Sequence, residues 1–172
     1  MSSERNAGPV PQAGQYLMFT LGDETFGCRI ACIREIIECP PMTAIPLTPA
    51  FLRGVINLRG AVVPVIDLSV RFERGPTALG ERTCIVIVEV AGAEDMQLLG
   101  VIVDGVTEVL EVETGELEMR PSLGAGIRAD FVAGMIRQGE HFVLALDMDR
   151  VLSGDELARL VDIQQQARDV QP

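Results

Sequence analysis

A chain of 172 residues, 48% of them hydrophobic, has enough material for one or two compact domains around an ordinary core. Its formal net charge of −11, with no Lys/Arg-rich stripe to offset it locally, argues against nucleic acid or anionic lipid surfaces as partners. Every apolar run is broken by Arg, Asp, Glu, Gly or Pro before it reaches bilayer length, and Met1 to Gln15 lacks the apolar centre of a signal peptide, so a cytoplasmic protein with no membrane insertion is expected.

Residues 1–14 are small and polar without periodicity and read as a disordered lead, with the folded domain expected over residues 15–163 and a frayed tail over 164–172. Leu17, Phe19 and Leu21 alternate, Gly22-Asp23-Glu24 can turn the chain, and Phe26, Cys28 and Ile30 alternate again, which predicts a β-hairpin. Ile30, Ile33, Ile36 and Ile37 then recur at helical spacing, so one or two helical turns are expected before Cys39-Pro40-Pro41 stops them. Met42 to Pro49 reads as an extended loop.

Val55 to Leu58 and Ala61 to Ile66 are strand-like, and Arg59-Gly60 between them predicts a second hairpin with Arg59 at its tip. Pro64 cannot donate to a ladder, so its strand should lie on an edge or carry a bulge. After a polar stretch from Glu73 to Glu81 come the apolar run Cys84 to Val90 and two further strands, Met96 to Val103 and Val106 to Val112. Asp104-Gly105 between the last two is either a tight turn or a kink in one long strand. Residues 113–130 look like loop, and Phe131 to Arg137 with His141 to Asp147 make a final hairpin around Gln138-Gly139-Glu140. Ser153-Gly154-Asp155-Glu156 is a capping box, and Leu157, Leu160 and Val161 place an apolar stripe on the C-terminal helix that follows.

An internal echo suggests duplication. Gly54 to Leu68 lies over Gly134 to Met148 without gaps, 80 positions apart, with Gly54/Gly134, Ile56/Ile136, Val63/Val143 and Asp67/Asp147 identical. The same strand–turn–strand–Asp unit twice points to two small related barrels.

Chemistry has little foothold. There is one histidine, expected in a strand and partly buried, with no phosphate-binding loop, serine elbow or metal-binding cluster. No cofactor or metal is therefore expected. Asp67, Asp104 and Asp147 read as strand-ending residues that accept backbone hydrogen bonds rather than as acid–base groups. Cys28, Cys32, Cys39 and Cys84 read as free, buried thiols, and a thiol enzyme using Cys28 or Cys32 would need a low-pKa sulfur with basic neighbours. Glu35 and Arg59 stand out as charges on short exposed elements, where Arg favours interface hot spots but is also an ordinary solvated charge.

Thr48 to Gly60, followed by Val63-Pro64-Val65-Ile66-Asp67-Leu68, resembles the signature stretch of the CheW family of bacterial chemotaxis coupling proteins. Phe26-Gly27 leading into Ile33-Arg34-Glu35-Ile36, and Gly100 to Val106 followed by Val109-Leu110, are similar to the same family, so the resemblance runs from about Tyr16 to Leu160. It implies a mainly β fold of two packed five-stranded β-barrel subdomains, with a short helix after the first hairpin and a helix at the C-terminus. It also implies a non-catalytic scaffold between the cytoplasmic tip of methyl-accepting chemoreceptors and the CheW-like regulatory domain of the histidine kinase CheA. The same role in a non-chemotactic pathway such as surface motility is the alternative. Carried onto matching positions, Ile33, Glu35, Ile36, Leu58, Arg59 and Gly60 form the partner-contacting surface, while Gly54, Asp104 and Gly105 are structural turn residues.

Overall fold

Among the described residues, eleven strands divide between two sheets, and each sheet takes strands from both halves of the chain. The structure, a computed structural model, describes residues 13–92, 95–118 and 129–170. In chain order the strands are β1 (Gly14–Leu21), β2 (Glu24–Arg29), β3 (Ile33–Glu38), β4 (Leu52–Leu58), β5 (Ala61–Asp67), β6 (Cys84–Ala91), β7 (Met96–Val103), β8 (Gly105–Val112), β9 (Leu117–Glu118), β10 (Val132–Gln138) and β11 (His141–Leu146). A single helical turn, α1 (Leu68–Arg71), follows β5, and a long helix, α2 (Gly154–Val170), ends the chain. One sheet has the order β8-β1-β2-β11-β10-β9 and the other β3-β6-β7-β5-β4.

The two sheets repeat one topology. In each, a crossing strand pairs antiparallel with a hairpin (β8 with β1–β2, β3 with β6–β7), and that hairpin pairs in parallel with the last strand of a second hairpin (β2 with β11, β7 with β5). The echo from the sequence is visible in the backbone: register shifts fall between Leu52 and Gly54 and between Val132 and Gly134, and the amides of Asp67 and Asp147 donate to Phe51 and Phe131 at 2.8 and 2.9 Å. A further correspondence joins the crossing strands. Ile33 and Glu35 of β3 flank a bulge opposite Val88 and Ile87, as Val106 and Glu108 of β8 do opposite Phe19 and Met18.

Strand alternation sends side chains to different cores. From β1, Leu17, Phe19 and Leu21 enter the main cluster between the sheets, while Tyr16 and Met18 join a small cluster on the other face with Val112, Ile136, Val143 and Ala145. From β6, Val86, Val88 and Val90 enter the main cluster, and Ile85 and Ile87 join a second small cluster with Ile56, Val63, Val65 and Ile102. Each small cluster receives residues from strands at opposite ends of its sheet, Leu110 and Leu117 in one and Ile37 and Leu58 in the other, so each sheet curls around its own filling. Glycine makes room at the tightest points: a Cβ on Gly100 would lie 2.9 Å from Ile85 and 3.0 Å from Val65, and one on Gly27 would lie 3.1 Å from Met18.

Several expectations change. Neither ladder closes into a barrel among the described residues, and one sheet has six strands rather than five. Only Ile30–Cys32 forms a helical turn after the first hairpin; Ile33–Glu38 is strand β3, because its β-branched residues pair along β6. Pro64 lies on an interior strand, at a point where β5 pairs with β4 alone, since the β7 ladder begins at Val65. Asp104 is a kink: β7 and β8 continue one run from one sheet into the other. The C-terminal helix does not fray at Gln164 but continues to Val170, burying Leu160, Ile163 and Ala167, and Ser153 and Glu156 cap it reciprocally at 3.1 and 2.7 Å. Gly14 is already paired with Val112, whereas the lead over residues 1–12 lies outside the described residues.

The two equivalent aspartates differ in environment. Asp67 is fully buried and accepts from Arg53 (2.6 Å), the Thr77 amide and hydroxyl (both 2.8 Å) and the Ser69 amide (3.1 Å). Asp147 is partly exposed and accepts from the Asp149 amide at 3.0 Å, and burial pushes its carboxyl above the usual range. Asp67→Ala, which orphans Arg53 and Thr77, is expected to cost about 3 kcal/mol and Asp147→Ala less than about 1 kcal/mol. Urea unfolding of both variants tests this, and equal losses would contradict the assigned network.

Candidate functional site

The β4–β5 hairpin closes through two residues in the left-handed region, Arg59 at φ 52° and Gly60 at φ 88°, the conformation that matches the twist of the flanking strands. Glycine adopts it freely; arginine does so at a cost, here with the Asn57 side chain accepting the Gly60 amide at 3.0 Å to fix the turn. The turn thrusts the Arg59 side chain outward, leaving it 74% exposed.

Across the mouth of the sheet stands Glu35 on β3. Strands β3 and β4 are the two ends of the five-stranded ladder, so curling of the sheet is what brings these residues together. Both terminal guanidinium nitrogens donate to the Glu35 carboxylate, Nη1 to Oε1 and Nη2 to Oε2 (2.9 Å for the latter). This fork-to-fork pair is the strong, directional form of an ion pair. The Arg59 guanidinium holds the Glu35 carboxyl below the usual range, and Glu35 raises Arg59 in turn. Lower on β4, Val55 exchanges backbone hydrogen bonds of 3.0 and 2.9 Å with Thr43 of the loop that joins β3 to β4.

The remaining residues singled out by sequence sort by depth. Ile36, on the face of β3 opposite Glu35, is exposed (42%) between Arg34 and Glu38, and Arg34 pairs with Glu89 at 3.3 Å. Ile33 and Leu58 lie underneath, packed against the main core and the small cluster respectively. They support the surface more than they present it. Gly54 is not a turn residue: it sits at the bulge within β4, where a Cβ would come within 2.6 Å of the Thr43 carbonyl and break the Thr43–Val55 bridge. Asp104 marks the crossing between sheets, accepting the Gly22 amide through its carboxylate and donating its own amide to Thr20 at 2.9 Å. Gly105 opens β8 beside it.

Sequence reading named Glu35 and Arg59 separately and missed that they bind each other. Their 24-residue separation and opposite edges leave no local pattern to read. His141 is exposed at the start of β11 rather than partly buried. Among the described residues, no three His, Cys, Asp or Glu side chains converge as a metal site, and no helix is long and apolar enough to cross a membrane.

A two-sheet β scaffold that presents an ion-paired, partly apolar edge defines a protein-interaction module. Comparison with known proteins places it more closely. Residues 15–156 match the CheW-like domain. The chain is 33% identical to the chemotaxis protein CheW of Klebsiella aerogenes over 148 residues, 86% of each chain, and 27% identical to protein FrzA of Myxococcus xanthus over 123 residues, 72% of this chain and 74% of that one. The crystal structure of the scaffolding protein TtCheW from Thermoanaerobacter tengcongensis superposes with a TM-score of 0.75 at 32% identity, covering 86% of this chain and 94% of that one. The chain belongs to the CheW family.

The ion pair has a titration signature. Because Glu35 is depressed in the folded state, the pair contributes above the ordinary glutamate pKa and is lost as pH falls through the lower, folded value. Side-chain carboxyl NMR of wild type is expected to show Glu35 titrating below the usual glutamate range. In Arg59→Ala its midpoint should rise into the ordinary range with the backbone spectrum otherwise intact, and an unmoved midpoint would refute the pairing in solution.

Proposed function

We propose that this protein is a non-catalytic chemotaxis scaffold that couples chemoreceptors to the histidine kinase CheA in the cytoplasm. The observation that carries the reading is the bidentate Glu35–Arg59 pair, with exposed Ile36 on the other face of the same edge strand, within the stretch that matches the family. An exposed pair of this kind adds little to stability. Its use is to hold a planar cation, an anion and an apolar side chain in fixed relative positions, so that docking costs little further ordering. Each curled sheet acts as a small barrel, and the rigid link between them sets the distance between the partners.

The mechanism is geometric. The scaffold binds the receptor's cytoplasmic tip with one part of its surface and the kinase's regulatory domain with another, and receptor conformations bias kinase activity through differences in those contacts. Binary affinities of about micromolar suffice, because repetition in an array supplies avidity.

Titration calorimetry against the CheA regulatory domain and against a receptor-tip fragment tests this. Wild type is expected to bind both, with Arg59→Ala and Glu35→Ala weakening one of the two about tenfold while circular dichroism stays unchanged. Folded wild type that binds neither partner would refute the coupling role. Unchanged affinities in both variants would remove the ion pair from the interface.

A further inference from the structure

The loop that joins β3 to β4 displays a leucine at a cost to the fold. Leu47 is 95% exposed, the most exposed large hydrophobic side chain among the described residues. Its backbone lies in the left-handed region, at φ 61°, where a leucine meets a steric penalty that glycine escapes and asparagine tolerates. Neither feature helps the chain to fold, yet the surroundings hold both in place. Pro46 before it has a set φ, and Thr48, restricted by Pro49, donates its hydroxyl to the Ile45 carbonyl at 2.9 Å. From α2, Nη2 of Arg159 donates to the Leu47 carbonyl at 3.1 Å. Ile45 packs against the main core and against the cluster of Val55, Val62 and Ala167 that joins α2 to the β4–β5 hairpin. Through Ile45 and the Thr43–Val55 bridge, the loop is braced on the hairpin that carries Arg59. Strain that the surroundings over-determine points to a use, and a side chain held outward by a stiff loop loses little freedom when another molecule buries it.

We propose that Leu47 is a docking anchor: it enters an apolar pocket on the protein partner that also reads the Glu35–Arg59 pair, and a carboxylate at the rim of that pocket meets Arg159. The charge complementarity follows from how Arg159 is held. Its side chain is exposed, and one terminal nitrogen is committed to the Leu47 carbonyl, so the guanidinium is fixed beside the leucine with its other donors turned to solvent. An aliphatic side chain with a cation alongside it selects a partner that offers an apolar pocket and an acid together. The anchor rests on the coupling role proposed above and adds to it a second contact, on the same hairpin support as the first.

The test pairs urea unfolding of the full chain with titration calorimetry against the CheA regulatory domain and against a receptor-tip fragment. Leu47→Gly is expected to raise the urea midpoint, because it relieves the left-handed leucine, and at the same time to weaken by about tenfold the partner that Arg59→Ala weakens. Leu47→Asn, which accepts the same backbone without glycine's flexibility, should lose the same affinity, and Leu47→Met should keep it. Arg159→Glu, which reverses the charge beside the anchor, should weaken that partner as well. A residue needed only for folding would lose stability and affinity together, so the opposite signs mark a contact. Leu47→Gly and Leu47→Asn that bind both proteins as tightly as wild type overturn the anchor and leave the coupling role standing. Loss confined to the partner that Arg59→Ala spares overturns the shared docking. Wild type that binds neither protein overturns the coupling role and the anchor with it.

Discussion

Exchange of strands between the two halves is the constraint on which the fold rests. β1 and β2 are adjacent in sequence, but the sheet that contains them is completed by β8, β9, β10 and β11, while β3, β4 and β5 complete the sheet built on β6 and β7. Neither half holds a whole sheet. A chain segment ending near residue 75 would leave both edges of the β1–β2 hairpin unpaired and its Tyr16/Met18 face without Val112, Ile136, Val143 and Ala145. An isolated two-stranded hairpin is marginal in water, so the halves are bound to fold together. That cooperativity also makes the scaffold stiff: the crossings at Ile30–Cys32 and at Asp104 stitch each sheet to the other.

What the sequence discloses follows from how local each signal is. The hairpins at Gly22-Asp23, Arg59-Gly60 and Gly139-Glu140 are legible because turn chemistry acts over a few residues, and the 80-residue echo is legible because it duplicates one such hairpin with its bulge and terminal aspartate. The second echo, Glu35-Ile36-Ile37-Glu38 against Glu108-Val109-Leu110-Glu111, is too short to stand out until pairing sets both bulges in register. Strand β3 misleads for a related reason. Ile30, Ile33, Ile36 and Ile37 fit a helical period, yet a strand crossing between sheets sends Ile30 and Ile33 to the main core, Ile37 to a small cluster and Ile36 to solvent. Three destinations imitate one helical face.

Duplication also shows where the two sheets have diverged. The tip that holds Arg59 in one hairpin holds Gly139 in the other, at φ values of 52° and 61°. Glycine at Gly139 takes the conformation without strain and offers no side chain; arginine at Arg59 takes it at a cost and reaches Glu35. The equivalent carboxylate, Glu108, is retained on β8. One sheet thus carries a strained residue with a long charged side chain where the other shows that an unstrained solution fits the same backbone.

Strain of that kind persists where the surroundings over-determine it, and here they do. Asn57 fixes the turn, the Thr43–Val55 bridge braces the β4 edge beneath it, and Gly54 lets the two backbones approach closely enough for the bridge to form. Further down, buried Asp67 gathers Arg53, Ser69 and Thr77 at the far end of β5, securing the base of the same hairpin, whereas among the described residues Asp147 at the equivalent position accepts from the neighbouring Asp149 amide alone. Support is therefore concentrated on one of two duplicated hairpins, the one that displays the ion pair. That support limits how far Arg59 and Glu35 can move relative to each other.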